Sequence, residues 1–360
     1  MPANKAVGDA DLVLLKKHLA VKHGFEMPVA TIIEAMTATA HDNKFHPVRE
    51  YLDGLKWDGV ERLDTWLINY AGAPDTPYSR ACARKMLCAA VMRIYRPGIK
   101  YDSVVVLEGG QGIGKSTICE ILGGEWYGDF KIDPNSPDSV QLMQGHWFIE
   151  LAELEVTRRS EEDALKAFLS RRTDKARLAY GRLAAQFPRQ SIFIATKNPG
   201  ADGAYLKDAT GNRRWWPLAL KPRGGMVDFT GLKAARNQLF AEAIARAKQG
   251  EELHMDTAEL KAEAKAVVSE RHAEHPWTER VAGWIFESKR NETFLTARDI
   301  FIEALGGIDK QLDPRTARTI AGVMRTLGWS AGVKRIGVHV ARGYHLDGAE
   351  PEKDLLDGLL

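Results

Sequence analysis

A glycine-rich stretch at residues 109–117 constrains this chain more than any other part of its sequence. It directly follows the apolar, β-branched run Ser103–Leu107 and leads into the helix-like segment Ile118–Leu122. A strand, a glycine-rich turn and a helix in this order form a phosphate-binding loop, because the glycines let successive backbone N–H groups point at one phosphate. The loop consists of Gly109, Gly110, Gln111, Gly112, Ile113, Gly114, Lys115, Ser116 and Thr117.

Two side chains of this loop have the chemistry that a nucleoside triphosphate requires. Lys115 is placed to reach the β- and γ-phosphates, and the Ser116 hydroxyl is placed to hold Mg²⁺. ATP and Mg²⁺ are therefore the expected cofactors. The alternative is a glycine-rich strand-to-helix turn that binds nothing; the β-branched strand before the loop and the helical residues after it argue against that.

Composition and charge exclude several classes of protein. With 44% hydrophobic and 27% charged residues among 360, the chain has the balance of a globular protein of one large or two to three domains. It has no run of about 18 apolar residues and no signal-peptide core at its start, so we expect a cytoplasmic protein without membrane partners. The odd number of cysteines, Cys82, Cys88 and Cys119, argues against a disulfide framework or a zinc site.

The apolar pattern changes along the chain and predicts an α/β fold flanked by helical regions. Helical spacing recurs at Leu12–Leu19, Val48–Leu55, Leu63–Ala71 and Ala81–Tyr95. Short β-rich runs typical of a nucleotide-binding core follow at Ser103–Leu107, Trp147–Leu151, Ser191–Thr196 and Arg214–Leu218. The predicted parts are an N-terminal helical domain at 1–96, a P-loop ATPase core at 97–230, a helical lid or connector at 231–275 that turns near Gly250, a winged-helix-like domain at 276–346 and an acidic tail at 347–360.

The region 276–346 predicts three helices followed by two short strands, the order of a winged helix. The helices are expected at Thr278–Glu287, Thr296–Leu305 and Pro314–Leu327, and the strands at Val333–Ile336 and Val338–Arg342. A winged helix would present cations to DNA from its third helix and its wing. These cations are Arg315, Arg318, Arg325, Lys334, Arg335 and Arg342. The alternative is that arginines at helical spacing only keep the surface soluble.

Two glutamates near the second predicted core strand are candidates for the catalytic carboxylates. A P-loop motor needs an acidic group at the tip of a neighbouring strand, because Mg²⁺ and the attacking water are both held beside the γ-phosphate. Glu150 ends the apolar strand and is assigned to the metal, and Glu153 is assigned as the base that polarises water. The two roles could be exchanged, and an ordinary strand followed by a surface helix is the alternative.

Asn198 follows the third predicted core strand, at the place of a γ-phosphate sensor. Its amide can donate to a phosphate oxygen and accept from water. Read alone, the Asn-Pro pair would simply start a turn. The assignment therefore depends on the other site residues.

Arg213 and Arg214 lie on a tight turn before paired tryptophans. An arginine donated by a neighbouring subunit accelerates phosphoryl transfer by about 10³ to 10⁵. One of the two is expected to act as this arginine finger. The other is expected in a salt bridge or a cation–π contact.

Several motifs around these residues resemble the virulence-associated protein E family of phage, prophage and pathogenicity-island proteins. They are Leu55–Leu63, Arg96–Lys100, Glu150–Leu154, Leu165–Ser170, Asp174–Tyr180, Ala195–Asn198 and Leu206–Arg214, strongest over residues 46 to 220. The sequence departs from the family pattern at Lys197, where threonine is more usual. The resemblance implies an AAA+ core like that of superfamily 3 helicases, in an ATP-driven ring, hexameric or larger, that moves on single-stranded DNA.

A basic segment between the second and third core strands supports a DNA partner. Residues Arg158 to Arg189 hold nine Lys or Arg against four Asp or Glu. In a ring, a loop here would face the pore, where cations meet phosphates and an aromatic ring stacks on a base. The candidate DNA contacts are Lys166, Arg171, Arg172, Lys175, Arg177, Tyr180 and Arg182. A solvated helix face is the alternative.

Together these features predict a DNA helicase or translocase in the replication of a mobile element within a bacterial host cell. Primase activity is not expected in this chain, because the residues before the core are few, helical-looking and without an obvious carboxylate metal cluster. A primase would then be a separately encoded partner. Two alternatives stay open. One is an AAA+ nucleotide switch or replication initiator that assembles on DNA without unwinding it. The other is a small-molecule or nucleoside kinase, which the arginine turn and the separate C-terminal region argue against.

Overall fold

The computed structural model describes residues 7–152, 159–177, 184–198, 212–271, 277–289, 292–309, 312–336 and 339–346. The chain divides into two compact units, residues 1–56 and residues 57–360. No helix within the described ranges is both long enough and apolar enough to cross a membrane.

The smaller unit contains helices whose ends the sequence marks. They are α1 (Asp9–His23), α2 (Val29–Asp42) and α3 (Pro47–Asp53). α1 ends at Gly24, whose φ of 68° lies in the left-handed region that glycine adopts without strain. α3 starts with a proline after His46, whose ring nitrogen accepts the N–H of Arg49 at 3.3 Å. Helical spacing predicted α1 and α3, whereas α2, rich in threonine and isoleucine, was not singled out.

Two helices precede the sheet of the larger unit, α4 (Trp66–Ala71) and α5 (Pro77–Tyr95). The Thr76 hydroxyl caps α5 by accepting the N–H of Ser79 at 3.2 Å, and a proline occupies the first turn. Most of α5 is buried. The indole of Trp147, beside the sheet, donates to the carbonyl of Ala90 at 3.0 Å. α5 therefore packs against the sheet.

A parallel sheet of five strands forms the centre of the described part of this unit. The strands are β1 (Val104–Glu108), β2 (Tyr127–Gly128), β3 (Phe148–Leu151), β6 (Ile192–Lys197) and β7 (Trp215–Ala219), in the spatial order β2-β3-β6-β1-β7. Every residue of β1 is buried, as expected of a parallel strand covered on both faces. Four of these strands match the predicted β-rich runs. The two-residue edge strand β2 is too short to leave a pattern.

The remaining described helices of the core are α6 (Lys115–Gly123), α7 (Pro137–Leu142), α8 (Arg159–Leu169), α9 (Phe229–Lys248) and α10 (Ala258–Ser269). One face of the sheet presents Val104 and Val106 to Phe168 of α8, and Val268 of α10 packs against the same cluster. An antiparallel hairpin, β4 (Thr173–Ala176) and β5 (Ala185–Pro188), lies between β3 and β6 in the chain. The helix predicted over 232–272 is present as α9 and α10, separated near Gly250.

Residues 277–346 have their own hydrophobic cluster, which includes Val281, Ile320 and Trp329. The elements are α11 (Trp277–Ser288), β8 (Phe294–Thr296), α12 (Ala297–Asp299) with a π-helical turn at Ile300–Ala304, α13 (Pro314–Thr326), β9 (Trp329–Ile336) and β10 (His339–Leu346). The strands form an antiparallel sheet in the order β8-β10-β9. Three helical segments followed by a β-hairpin agree with the predicted order, and β8 is an addition that the sequence pattern did not indicate.

Candidate nucleotide-binding site

The glycine-rich loop joins β1 to α6 at the carboxyl edge of the sheet. Gly112 and Gly114 have φ angles of 80° and 100°, which only glycine adopts readily. Space is also limited: a Cβ on Gly114 would lie 2.3 Å from Cζ of Phe229, and one on Gly109 would lie 3.2 Å from the carbonyl oxygen of Leu220. Backbone conformation and close packing therefore both require glycine in this loop.

Lys115, the first residue of α6, is tied to the loop and to the neighbouring strand. Its Nζ donates to the carbonyl oxygens of Gly109 and Gly110 at 2.7 and 2.8 Å, and to Oδ1 of Asn198 at 2.8 Å. Asn198 follows β6, which lies beside β1. Burial lowers the pKa of the Lys115 ammonium, and the charge of Glu150 partly offsets this effect. The structure thus brings together two side chains that the sequence assigned to phosphate binding.

Glu150 lies within β3 and is almost fully buried, with 2% of its surface exposed. Its Oε1 accepts from the hydroxyls of Ser116 at 2.8 Å and Thr196 at 2.7 Å, and its Oε2 accepts from the Tyr127 phenol at 2.5 Å. The strand of Glu150 is not adjacent to β1, because β6 lies between them. The carboxylate nevertheless reaches Ser116, since α6 crosses the same face of the sheet.

Thr196 and Tyr127 are site residues that the sequence reasoning missed. Thr196 had an available signal, because it is a polar residue near the end of β6, two positions before the candidate sensor Asn198. Tyr127 had none, since it lies in a two-residue strand outside every motif. Burial and the adjacent Glu150 raise the pKa of the Tyr127 phenol, so it remains a donor.

Ser116 and Glu150 present hydroxyl and carboxylate oxygens, the ligand types that suit Mg²⁺. No group of three or more His, Cys, Asp or Glu side chains able to hold a metal occurs in the described part of the chain. Mg²⁺ commonly binds through one or two protein oxygens and completes its coordination with phosphates and water. The Ser116 and Glu150 pair fits that mode.

A sequence profile of the virulence-associated protein E-like domain matches residues 52–275, more than half of the chain. The chain belongs to this family. The match confirms the resemblance inferred from the sequence motifs. It extends past β7 to the end of α10, and membership implies nucleotide binding at the P-loop of an NTPase-type α/β core.

No curated protein matches this virulence-associated protein E-like chain. Among solved structures, apo forms of the NrS-1 C-terminal region are similar to it over 82% of this chain and 78% of theirs. Their sequence identities are 13%, 13% and 15%, with TM-scores of 0.46, 0.47 and 0.44.

The two arginines before β7 of this family member have different surroundings. Arg214 donates from Nε to the Ser170 hydroxyl at 3.0 Å and pairs with the Asp102 carboxylate at 3.3 Å. Arg213 is exposed and has no ion pair among the residues that the structure describes. Arg213 is therefore the more exposed of the two arginines. Glu153, the candidate base, lies outside the described residues.

The basic segment is divided between a helix and a hairpin. Lys166 on α8 is buried, with 6% of its surface exposed, so it does not share the exposed surface of the other cations. Arg171 donates to the Pro134 carbonyl at 3.2 Å and Arg172 to the Gly98 carbonyl at 2.8 Å, and both remain exposed. The exposed side chains of Lys175 and Arg177 lie on and after β4. Tyr180 and Arg182 lie outside the described residues.

In residues 277–346 of this family member, α13 buries Ile320 and exposes Arg318 and Arg325. Arg335 on β9 and Arg342 on β10 are also exposed, whereas Lys334 is half-buried. The side chain of Arg315 is outside the described set. Apolar residues of α13 face the hydrophobic cluster while its arginines face solvent. Both sequence interpretations, a DNA-contacting helix and a merely soluble surface, require this arrangement.

Proposed function

We propose that this chain is an ATPase that assembles into a ring, moves on single-stranded DNA and separates duplex DNA during replication of a phage or another mobile element. The observation that carries the proposal is that Lys115 meets Asn198 while Ser116 meets Glu150, all at one edge of a parallel sheet. Membership in the virulence-associated protein E-like family supports it.

Each of these residues has a distinct role in the proposed hydrolysis of ATP. The backbone N–H groups of the loop and Lys115 bind the β- and γ-phosphates. Asn198 exchanges its bond with Lys115 for one with the γ-phosphate, and so reports whether that phosphate is present. Ser116 and Glu150 hold Mg²⁺, which when bound neutralises the charge of the phosphate oxygens. Glu150 or Glu153 orients the attacking water.

The ring form of the proposal depends on Arg213. An exposed guanidinium beside the sheet can stabilise the transition state in a neighbouring subunit. Arg214 cannot do so while it pairs with Asp102 and Ser170. In the proposed ring, Arg213 of each subunit would therefore complete the ATP site of its neighbour.

The DNA partner is supported by the β4–β5 hairpin. Its first strand and the residue after it carry Lys175 and Arg177, with Arg171 and Arg172 just before the hairpin. Exposed cations on and beside this hairpin suit a phosphate backbone. The winged-helix-like arrangement at 277–346 would offer a second DNA contact through Arg318, Arg325 and Arg342.

The test is ATP hydrolysis with and without single-stranded DNA, in wild type, Arg213→Ala and Arg214→Ala. The proposal expects stimulation by DNA, a loss of at least about 100-fold in rate for Arg213→Ala with nucleotide binding retained, and a smaller change for Arg214→Ala. Mixing Arg213→Ala with Lys115→Ala subunits should restore activity, because each supplies what the other lacks. A rate of ATP hydrolysis that is unchanged by DNA and by both arginine substitutions would overturn the proposed motor activity. DNA-bound oligomers that hydrolyse slowly and separate no strands would favour the nucleotide switch or initiator instead.

A further inference from the structure

A cavity of about 290 Å³ lies between the end of α4 and the segment 221–228 that follows β7. Ile68, Ala73 and Met226 give it apolar surface, and Asn69 and Tyr70 add polar groups. Its volume is near the lower end of the range for small-molecule pockets, about 300 Å³. None of the site residues considered so far lines it.

The cavity and the P-loop share one wall, residues 220–229, which we call the wall segment. Leu220 N–H donates to the carbonyl of Glu108 at 2.7 Å, and Val227 N–H donates to the carbonyl of Ile113 at 3.1 Å. The same segment closes the cavity from the other side, since Asp228 N–H donates to the carbonyl of Tyr70 at 2.8 Å. The wall segment thus borders both the P-loop and the cavity.

The charges of the cavity suit a ligand that carries phosphates. Asp75 is neutralised by Arg80, whose Nε and Nη2 donate to its two oxygens at 2.6 and 2.9 Å. Lys221 and Arg223 line the cavity and have no ion pair among the described residues. Asp228 is the other carboxylate of the lining, so Lys221 and Arg223 leave the cavity with a net positive charge, while Ile68 and Met226 offer apolar surface for a flat ring.

Asn69 gives the cavity a specific hydrogen-bonding pattern. Its Nδ2 donates to the Thr65 hydroxyl at 3.2 Å, which orients the amide. Its Oδ1 and the second Nδ2 hydrogen have no partner among the described residues. An amide that offers one acceptor and one donor matches the N6 amino group and N7 of adenine, whereas guanine presents two acceptors at the same edge.

We propose that this cavity receives the base of the nucleoside triphosphate whose phosphates lie in the P-loop, and that Asn69 selects adenine there. This assignment rests on the proposed ATPase function. The assignment extends the proposed ATPase function by naming the part of the protein that distinguishes ATP from other triphosphates.

The experiment measures the affinities of the full chain for ATP, GTP and inorganic tripolyphosphate, each with Mg²⁺, by competition against a fluorescent nucleotide. In Asn69→Ala, the preference for ATP over GTP should fall about tenfold, because one well-placed amide–adenine hydrogen-bonded pair contributes about that much discrimination. In Met226→Ala, ATP and GTP should both weaken relative to tripolyphosphate. Asn43→Ala, an exposed asparagine in the smaller unit, is the matched control and should change neither ratio. Melting temperatures establish that each variant is folded.

Failure of this assignment and failure of the proposed function give different results. An unchanged ATP-to-GTP ratio in Asn69→Ala, together with unchanged nucleotide-to-tripolyphosphate ratios in Met226→Ala, would overturn the base pocket while leaving the P-loop assignment intact. Tripolyphosphate binding that survives Lys115→Ala would instead overturn the phosphate site on which both rest.

Discussion

The guanidinium of Arg271, just after α10, holds both carboxylate oxygens of Glu108, the last residue of β1. Nε lies 3.2 Å from each oxygen, and Nη2 lies 3.1 Å from Oε2. Glu108 is buried and Arg271 is nearly so, with 16% of its side chain exposed. This pair joins the end of α10 to the residue that immediately precedes the P-loop.

Removing Arg271 should destabilise the protein, because the Glu108 carboxylate would remain buried without its partner. We expect Arg271→Ala to lower the free energy of unfolding by about 3 kcal/mol, the usual effect of breaking a buried pair on one side. Urea unfolding measures this. The double variant Glu108→Gln, Arg271→Gln removes both charges and should lose less. If the double variant is at least as unstable as Arg271→Ala, the buried charge is not the cause.

Lys115→Ala should abolish hydrolysis, with a fall in rate of at least about 100-fold, because the phosphates would lose their principal side-chain cation. Asn198→Ala should bind ATP but hydrolyse it more slowly, since Lys115 and the γ-phosphate would both lose a partner. Steady-state hydrolysis and nucleotide titration separate these effects. Lys233→Ala, an exposed lysine on α9, is the matched control. Normal hydrolysis by Lys115→Ala would contradict the site assignment.

Tyr127 and Thr196 should act as positioning residues for Glu150. In Tyr127→Phe or Thr196→Val, the carboxylate loses one of the hydroxyl donors that fix its orientation. The Mg²⁺ concentration that gives half-maximal hydrolysis should rise about tenfold, as for other residues that orient a metal ligand, while the maximal rate at saturating Mg²⁺ changes less. Tyr344→Phe, in the C-terminal region, is the control. A lower maximal rate without any change in Mg²⁺ dependence would argue against this role.

The stability of the protein should depend on the protonation of Glu242, a buried residue of α9. Its carboxylate accepts the N–H groups of Arg62 at 2.6 Å and Leu63 at 2.9 Å, but burial outweighs these bonds and raises its pKa. A raised folded pKa means that the stabilising contribution is complete below the unfolded pKa and is lost as pH rises through the folded pKa.

Glu242→Gln does not titrate and therefore isolates this effect. The difference in unfolding free energy between wild type and Glu242→Gln should shift in favour of wild type as pH falls from about 8 to about 5. Urea unfolding of both proteins at several pH values measures the difference, in which the titration of all other groups cancels. A difference that is constant with pH would show that Glu242 keeps its ordinary pKa in the folded state.

The sequence predicted the secondary-structure elements that depend mainly on neighbouring residues. Apolar runs predicted β1, β3, β6 and β7 to within a residue or so at each end, since strands of a parallel sheet that is covered on both faces are mostly apolar. Glycine spacing predicted the loop between β1 and α6, because the left-handed conformations at Gly112 and Gly114 exclude other residues.

Contacts between distant parts of the chain left no such signal. The bond from Tyr127 to Glu150, the pair of Arg271 with Glu108 and the cavity beside the wall segment join residues that are far apart in sequence. The basic segment is a further example. Its positive charge could be read from the sequence, but only the folded structure shows that Lys166 is buried and Lys175 is exposed on a hairpin.

The sequence by itself therefore determined the family, the P-loop and the identity of Lys115, Ser116, Glu150 and Asn198 as candidates. Tertiary structure alone decided which arginine remains exposed, because Arg214 finds Asp102 and Ser170 while Arg213 does not. It also decided how Glu150 reaches Ser116 across an intervening strand. The physical reason is that backbone conformation and apolar periodicity depend on neighbouring residues, whereas hydrogen bonds and ion pairs between side chains depend on which strands and helices the folded chain places together.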